Sequence, residues 1–181
     1  MKLTFKNDTF KILQIADTQE GRKVSPDTLA LINAALDREE PDLVVYSGDQ
    51  IWGRGFHGDV NQVRRVLKEL TAPVVERQLP FAICFGNHDR QVGLDNRAQF
   101  EIYKEIPGFI GEDTPGMDGV GNCVLEIADG DRPGYLLYLI DSHSSLKVGY
   151  DHVHQNQIDW YRGVRDSYEK QYGHTIPSVV I

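Results

Sequence analysis

Three predominantly apolar runs stand out in the first half of the chain, at residues 10–16, 43–46 and 81–85. Runs of this length with little polar alternation are typical of parallel strands that are covered on both faces. Two segments with apolar residues at helical spacing separate the three runs. The resulting β-α-β-α-β order predicts a parallel sheet with right-handed crossovers.

The first of these helical segments has clear start and stop signals. Ser25 is a typical N-cap, and Pro26 suits the first helical position. Pro41 cannot continue a helix and is expected to end it. The second segment has apolar residues at helical spacing over 60–70, and it is predicted to be interrupted near Pro73.

The second half of the chain has a different texture, with turn residues between shorter elements. Its predicted elements are a helix over 96–105, a loop rich in Gly, Pro and Asp over 107–121, two antiparallel hairpin strands over 122–128 and 135–140, a helix with one apolar face over 158–168, and the start of a strand over 178–181.

Polar side chains follow each of the three predicted parallel strands. Asp17 follows the first strand, Asp49 follows the second, and the third runs into Asn87 and His88. Because the carboxyl ends of parallel strands lie along one edge of a sheet, we expect these side chains to meet there. Oxygen donors with one imidazole favour a divalent metal ion and a phosphate. Each residue alone is also typical of a turn or a helix cap, so the hypothesis depends on all three strand ends.

Composition limits the classes of function. The chain has 181 residues, which suits one domain, and its 40% hydrophobic and 25% charged residues are ordinary for a soluble globular protein. A net charge of −8 argues against a broad nucleic-acid surface but is compatible with a small phosphorylated substrate. Bound cations can invert the local field at such a site.

The two cysteines provide no disulfide framework, and Cys84 is expected to be a buried thiol within the third strand. No stretch approaches the length of a membrane span, and the start of the chain has no apolar leader. A cytoplasmic location without membrane association is therefore expected.

The strand-end residues also carry a resemblance to a known family. Three ordered blocks resemble the first three signature blocks of the calcineurin-like metallophosphoesterases: Asp17-x-Gln19, Gly48-Asp49 and Gly86-Asn87-His88-Asp89. The spacings of 32 residues from Asp17 to Asp49 and 38 from Asp49 to Asn87 fit one βα unit between blocks. Segments at 119–122, 138–142 and 157–161 further resemble the purple-acid-phosphatase-like branch related to the yeast Dcr2 phosphatase.

The resemblance implies an α/β fold of the metallophosphoesterase type, an αββα sandwich with its N-terminal βαβαβ half complete and its second sheet partial. It implies a single domain over residues 1–181. The implied function is a metal-dependent phosphoesterase that hydrolyses a phosphomonoester or phosphodiester by attack of a metal-bridging hydroxide. The expected substrate is a phosphorylated small molecule or protein.

The resemblance also implies roles for single residues. Asp49 would bridge two metal ions, Asp17 would bind the first ion, and Asn87 would bind the second. Asn87 is also expected at the substrate phosphate, and His88, the expected catalytic residue, would contact the phosphate or protonate the leaving group. Arg90 is a further candidate for phosphate binding, although an arginine at a loop edge is also often solvated.

Two positions depart from the family pattern. Gln19 stands where the family usually has His, and it is equally open to interpretation as a metal ligand or a bystander. A neutral amide oxygen suits Mn²⁺ or Mg²⁺ better than Zn²⁺ or Fe. Trp52 stands where the purple enzymes have a metal-binding Tyr, so a tyrosinate–iron colour is not expected. The expected cofactors are two divalent ions, Mn, Fe or Zn, with Mn favoured.

The metal-ligand histidines that the family places in later blocks have no counterpart before Ile181. The domain is therefore expected to lack its C-terminal portion. His143, His152 and His154 lie in a polar loop outside the expected blocks. They are interpreted as solvated or substrate-facing imidazoles rather than as replacement ligands.

Two other functions remain open. Gln19 motivates a non-catalytic scaffold that keeps the fold without turnover, like the retromer subunit related to these enzymes. His88 argues against that scaffold, because an imidazole at this position has a use in the chemistry. A nucleic-acid phosphodiesterase of the double-strand-break-repair type is disfavoured by the acidic balance.

Overall fold

Two β-sheets form the centre of the fold in a computed structural model that describes residues 2–53 and 55–181. The strands among these residues are β1 (Leu3–Thr4), β2 (Ile12–Ile15), β3 (Leu43–Ser47), β4 (Phe81–Cys84), β5 (Cys123–Asp129), β6 (Arg132–Leu139) and β7 (Ser178–Val180). One sheet is parallel throughout, with the order β2-β3-β4, as predicted. The other has the order β1-β5-β6-β7, in which β5 and β6 form the predicted antiparallel hairpin.

The helices of the described residues are α1 (Pro26–Glu39), α2 (Val60–Glu76), α3 (Asn96–Lys104) and α4 (Gln155–Tyr172), with a 3₁₀ segment over Asp89–Val92. The start of α1 agrees with its sequence signals. The Ser25 side chain accepts a hydrogen bond from the Asp27 N–H, and Pro26 occupies the first turn. Glu40 adopts a left-handed conformation that ends the helix before Pro41.

The expected interruption of the second helix at Pro73 is wrong, because α2 continues through this residue to Glu76. Pro73 is buried, and its neighbours on the same helix face, including Val66 and Leu70, are buried with it. The Tyr46 hydroxyl donates to the Leu70 carbonyl over 3.2 Å and provides a hydrogen bond close to the proline. Burial of the apolar face therefore outweighs the lost helical hydrogen bond.

Alternating side chains divide the fold into four layers. Val44 and Tyr46 of β3 belong to a buried cluster between the parallel sheet and helices α1–α3. The alternate residues Leu43 and Val45 belong to a second cluster, between the two sheets. A third cluster packs Tyr138 of β6 against α4. The layer order is therefore helix, sheet, sheet, helix, which confirms the αββα sandwich.

Cys84 is buried as predicted, and burial raises the pKa of its thiol to about 12. Over residues 2–53 and 55–181, no helix combines the length and the apolar character needed to cross a bilayer.

Candidate metal centre and active site

The loops that follow β2, β3 and β4 lie side by side at one edge of the parallel sheet. Backbone hydrogen bonds extend the strand pairing into them, from Asp17 N–H to the Gly48 oxygen over 3.1 Å and from Gln19 N–H to the Asp49 oxygen over 2.9 Å. Asp17, Asp49 and Asn87 line one cavity of about 350 Å³ at this edge. The structure thus brings together three of the side chains that the strand-end argument expected to meet.

Four residues in or next to this cavity have left-handed backbone, as do five other non-glycine residues of the part of the chain that the structure describes. The φ angles of Asp17, Gln19 and Asp49 are 56°, 47° and 54°, and that of His143, which also lines the cavity, is 68°. For a residue other than Gly, this conformation costs on the order of 1 kcal/mol or more. Strain of this kind persists where surrounding contacts hold it, and it is frequent at functional sites.

Two glycines allow the strand-end loops to approach each other closely. A Cβ on Gly86 would lie 2.2 Å from Asp49 Oδ1, and a Cβ on Gly48 would lie 2.7 Å from the Gly86 nitrogen. Both distances are shorter than real Cβ contacts allow. The glycines that precede Asp49 and Asn87 are therefore required by the packing of the site.

Asp89 holds the loops after β3 and β4 together. Its buried carboxylate accepts four backbone N–H hydrogen bonds of 2.8–3.2 Å, from Gly86, Asp49, Gln50 and Ile51. Burial raises the pKa of Asp89 to about 6, although the N–H donors act in the opposite direction. Asp89 ends the third signature block, where its sequence position indicated no role, and its contacts identify it as the residue that positions this loop pair.

We expect Asp89→Asn to lower the free energy of unfolding by about 1–3 kcal/mol. The amide nitrogen of the new side chain would face backbone N–H groups, so hydrogen-bond donors would oppose each other without an acceptor. Urea denaturation followed by tryptophan fluorescence measures this change. Asp131→Asn is the matched control, since Asp131 is exposed in the turn between β5 and β6 and should change stability by less than about 0.5 kcal/mol. Equal stability of the two variants would contradict the positioning role.

His88 lies next to the cavity but is not among the residues that line it. Its backbone N–H donates to Asp49 Oδ1 over 2.7 Å, and its ring centroid lies 5.5 Å from that of Trp52. Its Nδ1 is buried and has no hydrogen-bond partner among the described residues. A buried polar atom of this kind is costly and calls for an explanation, for which a functional role is one candidate.

Gln19 and Arg90 also lie outside the cavity lining. Gln19 is half-buried, two residues after Asp17. Arg90 is exposed, and its Nη1 donates to Ser144 Oγ over 2.9 Å. Because Ser144 lines the cavity, this hydrogen bond holds the Arg90 guanidinium close to its edge.

Part of the cavity lining comes from the segment after β6, namely Ser142, His143, Ser144, Tyr150 and Asp151. His143 is half-buried at the cavity, whereas His152 is solvent-exposed. Asp151 follows no strand of the parallel sheet and carries no sequence signal for this site. Because β6 belongs to the other sheet, only the packing of the two sheets brings this segment to the cavity.

The donor set at the sheet edge fits a divalent cation. Asp17 and Asp49 offer carboxylate oxygens and Asn87 offers an amide oxygen, which are ligands that Mn²⁺ and Mg²⁺ accept. The close contact between Gly86 and Asp49, which a Cβ would block, brings together the loops that carry Asp49 and Asn87. Two neighbouring carboxylates also concentrate negative charge that a bound cation would offset.

Comparison with known proteins places this site in context. The chain is 31% identical to phosphatase DCR2 of Saccharomyces cerevisiae over 185 residues, which cover 87% of the chain and 32% of that protein. It is 28% identical to an Arabidopsis thaliana protein named probable inactive purple acid phosphatase 14, over 88% of the chain and 48% of that protein. The chain therefore spans about a third to a half of the length of these relatives.

A solved structure shares the fold. A dimetal phosphatase from Danio rerio superposes with a TM-score of 0.64 at 14% sequence identity, covering 95% of this chain and 68% of that one. The sequence profile of the calcineurin-like phosphoesterases matches residues 10–174, from β2 to beyond the end of α4. That match takes in all three strand-end blocks, and the chain belongs to the calcineurin-like phosphoesterase family.

Proposed function

We propose that this chain supplies metal ligands in a phosphoesterase that hydrolyses a phosphomonoester or a phosphodiester. The observation that carries the proposal is the convergence of Asp17, Asp49 and Asn87 in one cavity. Two of these residues are held in left-handed backbone. Membership of a metal-dependent family supports the same proposed function.

The strand order suggests a division of roles among the ligands. Asp49 follows β3, the central strand, and lies between Asp17 after β2 and Asn87 after β4. In this proposal Asp49 would contact both ions, and Asp17 and Asn87 would each hold one of them. Two divalent ions, when bound, neutralise phosphate charge and make water a stronger nucleophile near neutral pH. The oxygen donor set of Asp17, Asp49 and Asn87 favours Mn²⁺ over Zn²⁺.

The substrate is proposed to be a phosphorylated small molecule or a phosphorylated protein side chain. A cavity of about 350 Å³ is at the small end of the usual range for ligand sites, roughly 300–1,000 Å³. The Asn87 amide offers N–H donors to a phosphate oxygen, and the Arg90 guanidinium at the cavity edge offers a positive charge. These groups recognise the phosphate rather than the rest of the substrate.

The primary experiment measures hydrolysis of p-nitrophenyl phosphate and bis(p-nitrophenyl) phosphate with added Mn²⁺. We expect turnover of one of these esters, its loss on addition of EDTA, and its recovery when Mn²⁺ is restored. Comparing the two esters separates monoester from diester hydrolysis. Turnover that survives EDTA would contradict metal dependence.

We expect His88→Ala to lower kcat by about 10²-fold with little change in Mn²⁺ affinity, because general acid catalysis typically contributes about 10²–10⁴-fold. His174→Ala is the control, since His174 is exposed beyond the end of α4. An unchanged kcat in His88→Ala would remove His88 from the mechanism, whereas loss of Mn²⁺ binding would indicate a structural role for the imidazole.

A non-catalytic scaffold is the second candidate function. Several relatives are named probable inactive purple acid phosphatases, and Gln19, which replaces the usual His, lies outside the cavity lining. Mn²⁺ binding without turnover of either ester would favour this function. Mn²⁺-dependent turnover would favour the phosphoesterase.

A further inference from the structure

A second group of potential metal ligands lies beside the candidate metal centre. One ligand atom from each of His143, Asp151 and His154 lies within 4.8 Å of the other two. The imidazole rings of His143 and His154 are stacked, with centroids 4.1 Å apart. Asp118 joins the group through a 2.7 Å contact between its Oδ2 and His154 Nδ1. The surrounding hydrogen bonds determine which ring nitrogens carry protons.

Gln157, which is fully buried, determines the tautomer of His143. The Asp141 N–H donates to Asn122 Oδ1, which identifies this Asn122 atom as the acceptor. The Gln157 side-chain atom 2.8 Å from it must therefore be the donor, Nε2. Gln157 Oε1 is then an acceptor, and it receives the His154 backbone N–H over 2.7 Å. His143 Nε2, 3.1 Å from the same oxygen, must carry a proton. Neutral His143 therefore keeps its lone pair on Nδ1.

The contact between His154 Nε2 and Asp151 Oδ1 requires a positive charge, either a proton or a metal ion, between the two atoms. With its Nδ1–H donating to Asp118, neutral His154 would present an Nε2 lone pair to Asp151 Oδ1, only 3.2 Å away. Two acceptors at this distance repel, so the pair needs either a proton on Nε2 or a metal ion. Asp118 and Asp151 each place a carboxylate oxygen within 3.2 Å of a His154 ring nitrogen. The same negative charges attract a divalent cation.

We propose that His143 Nδ1, His154 Nε2 and the Asp151 carboxylate bind a divalent transition-metal ion of the Zn²⁺ type. Two imidazoles, one carboxylate and an open position are a ligand set of catalytic zinc sites. Asp118 supplies the outer carboxylate that orients a metal-binding histidine. The nitrogen-rich set prefers different ions from the all-oxygen set at the sheet edge.

Because of its location, such an ion could contact a substrate in the cavity. His143 and Asp151 line the same cavity as Asp17, Asp49 and Asn87. An ion with an open coordination position there would offer an additional contact for an anionic group in the cavity. The site uses none of the residues of the sheet-edge metal centre, so the two proposals can fail separately.

The test is a Zn²⁺ titration of the metal-free 181-residue chain, followed by equilibrium dialysis and by ¹H–¹⁵N spectra of the histidine side chains. We expect Zn²⁺ to shift the His143 Nδ1 and His154 Nε2 resonances. His143→Ala and His154→Ala should each weaken binding of one Zn²⁺ by about 100-fold or more, and Asp118→Asn by about 10–100-fold. His174→Ala removes an exposed histidine and should leave Zn²⁺ binding unchanged.

Asp49→Asn distinguishes this site from the sheet-edge centre, because Zn²⁺ should still shift the two imidazoles in that variant. The proposal is overturned if His154 Nε2 keeps its proton at saturating Zn²⁺. It is also overturned if His143→Ala binds Zn²⁺ as well as His174→Ala does. Loss of the imidazole shifts in Asp49→Asn would assign the histidines to the sheet-edge centre and would equally overturn it.

Discussion

Asp49→Asn is expected to weaken Mn²⁺ binding by at least about 100-fold and phosphoester hydrolysis by at least about 10³-fold, which corresponds to about 4 kcal/mol of transition-state stabilisation. The substitution preserves the size of the side chain and an acceptor for the 2.7 Å hydrogen bond from the His88 N–H. The substitution therefore removes the negative charge of the side chain and leaves its shape unchanged. Asp49 follows the central strand of the parallel sheet, so its carboxylate is the one proposed to serve both ions.

Calorimetric titration with Mn²⁺ and the hydrolysis rates of both esters measure the effect of Asp49→Asn. Asp131→Asn makes the same charge change in an exposed turn and should leave both quantities unchanged. Circular dichroism should show that both variants keep the wild-type helix content. Hydrolysis that survives in Asp49→Asn would remove the two-metal proposal.

Gly86→Ala is expected to lower the free energy of unfolding by about 3 kcal/mol or more and to weaken Mn²⁺ binding. The new Cβ would lie 2.2 Å from Asp49 Oδ1 and 2.5 Å from the Asp49 nitrogen. The φ angle of Gly86 lies outside the left-handed region, so steric overlap alone produces the effect. Relief requires Asp49 to move, and this displaces the proposed bridging ligand.

Gly163→Ala is the matched control for Gly86→Ala. Gly163 is exposed in α4, and a Cβ there would meet no atom within 4 Å. Because Ala is the better helix former, this variant should gain about 0.5–1 kcal/mol of stability. Urea denaturation should therefore give shifts of opposite sign, and a small effect of Gly86→Ala would contradict the close packing of the two loops.

The sequence signals that succeeded were local ones. Ser25 and Pro26 marked the start of α1, and the apolar runs marked β2, β3 and β4, because capping and side-chain periodicity depend on neighbouring residues. The interruption of α2 predicted at Pro73 is wrong because helix continuity at this residue depends on contacts with distant residues. Whether a helix tolerates proline depends on how much apolar surface it buries, and that burial comes from distant parts of the chain.

At the candidate site, too, the local signals succeeded and the long-range contacts could not be predicted. Strand order and polar strand ends were enough to predict that Asp17, Asp49 and Asn87 would meet. They were not enough to place His88 outside the cavity lining or to give Asp89 its loop-fixing contacts, since side-chain partners are chosen by packing.

Periodicity and chain direction were sufficient to predict the chain order of β2–β7 and α1–α4. They also predicted the edge of the parallel sheet where oxygen donors collect, because neither signal requires knowledge of long-range contacts. The two-residue strand β1 carries no such pattern and was not predicted. The approach of the segment after β6 to the same cavity, and the convergence of His143, Asp151 and His154, depend on tertiary packing. Those residues come from the second sheet and its loops, and they meet the first sheet because the buried cluster between the sheets fixes their relative position.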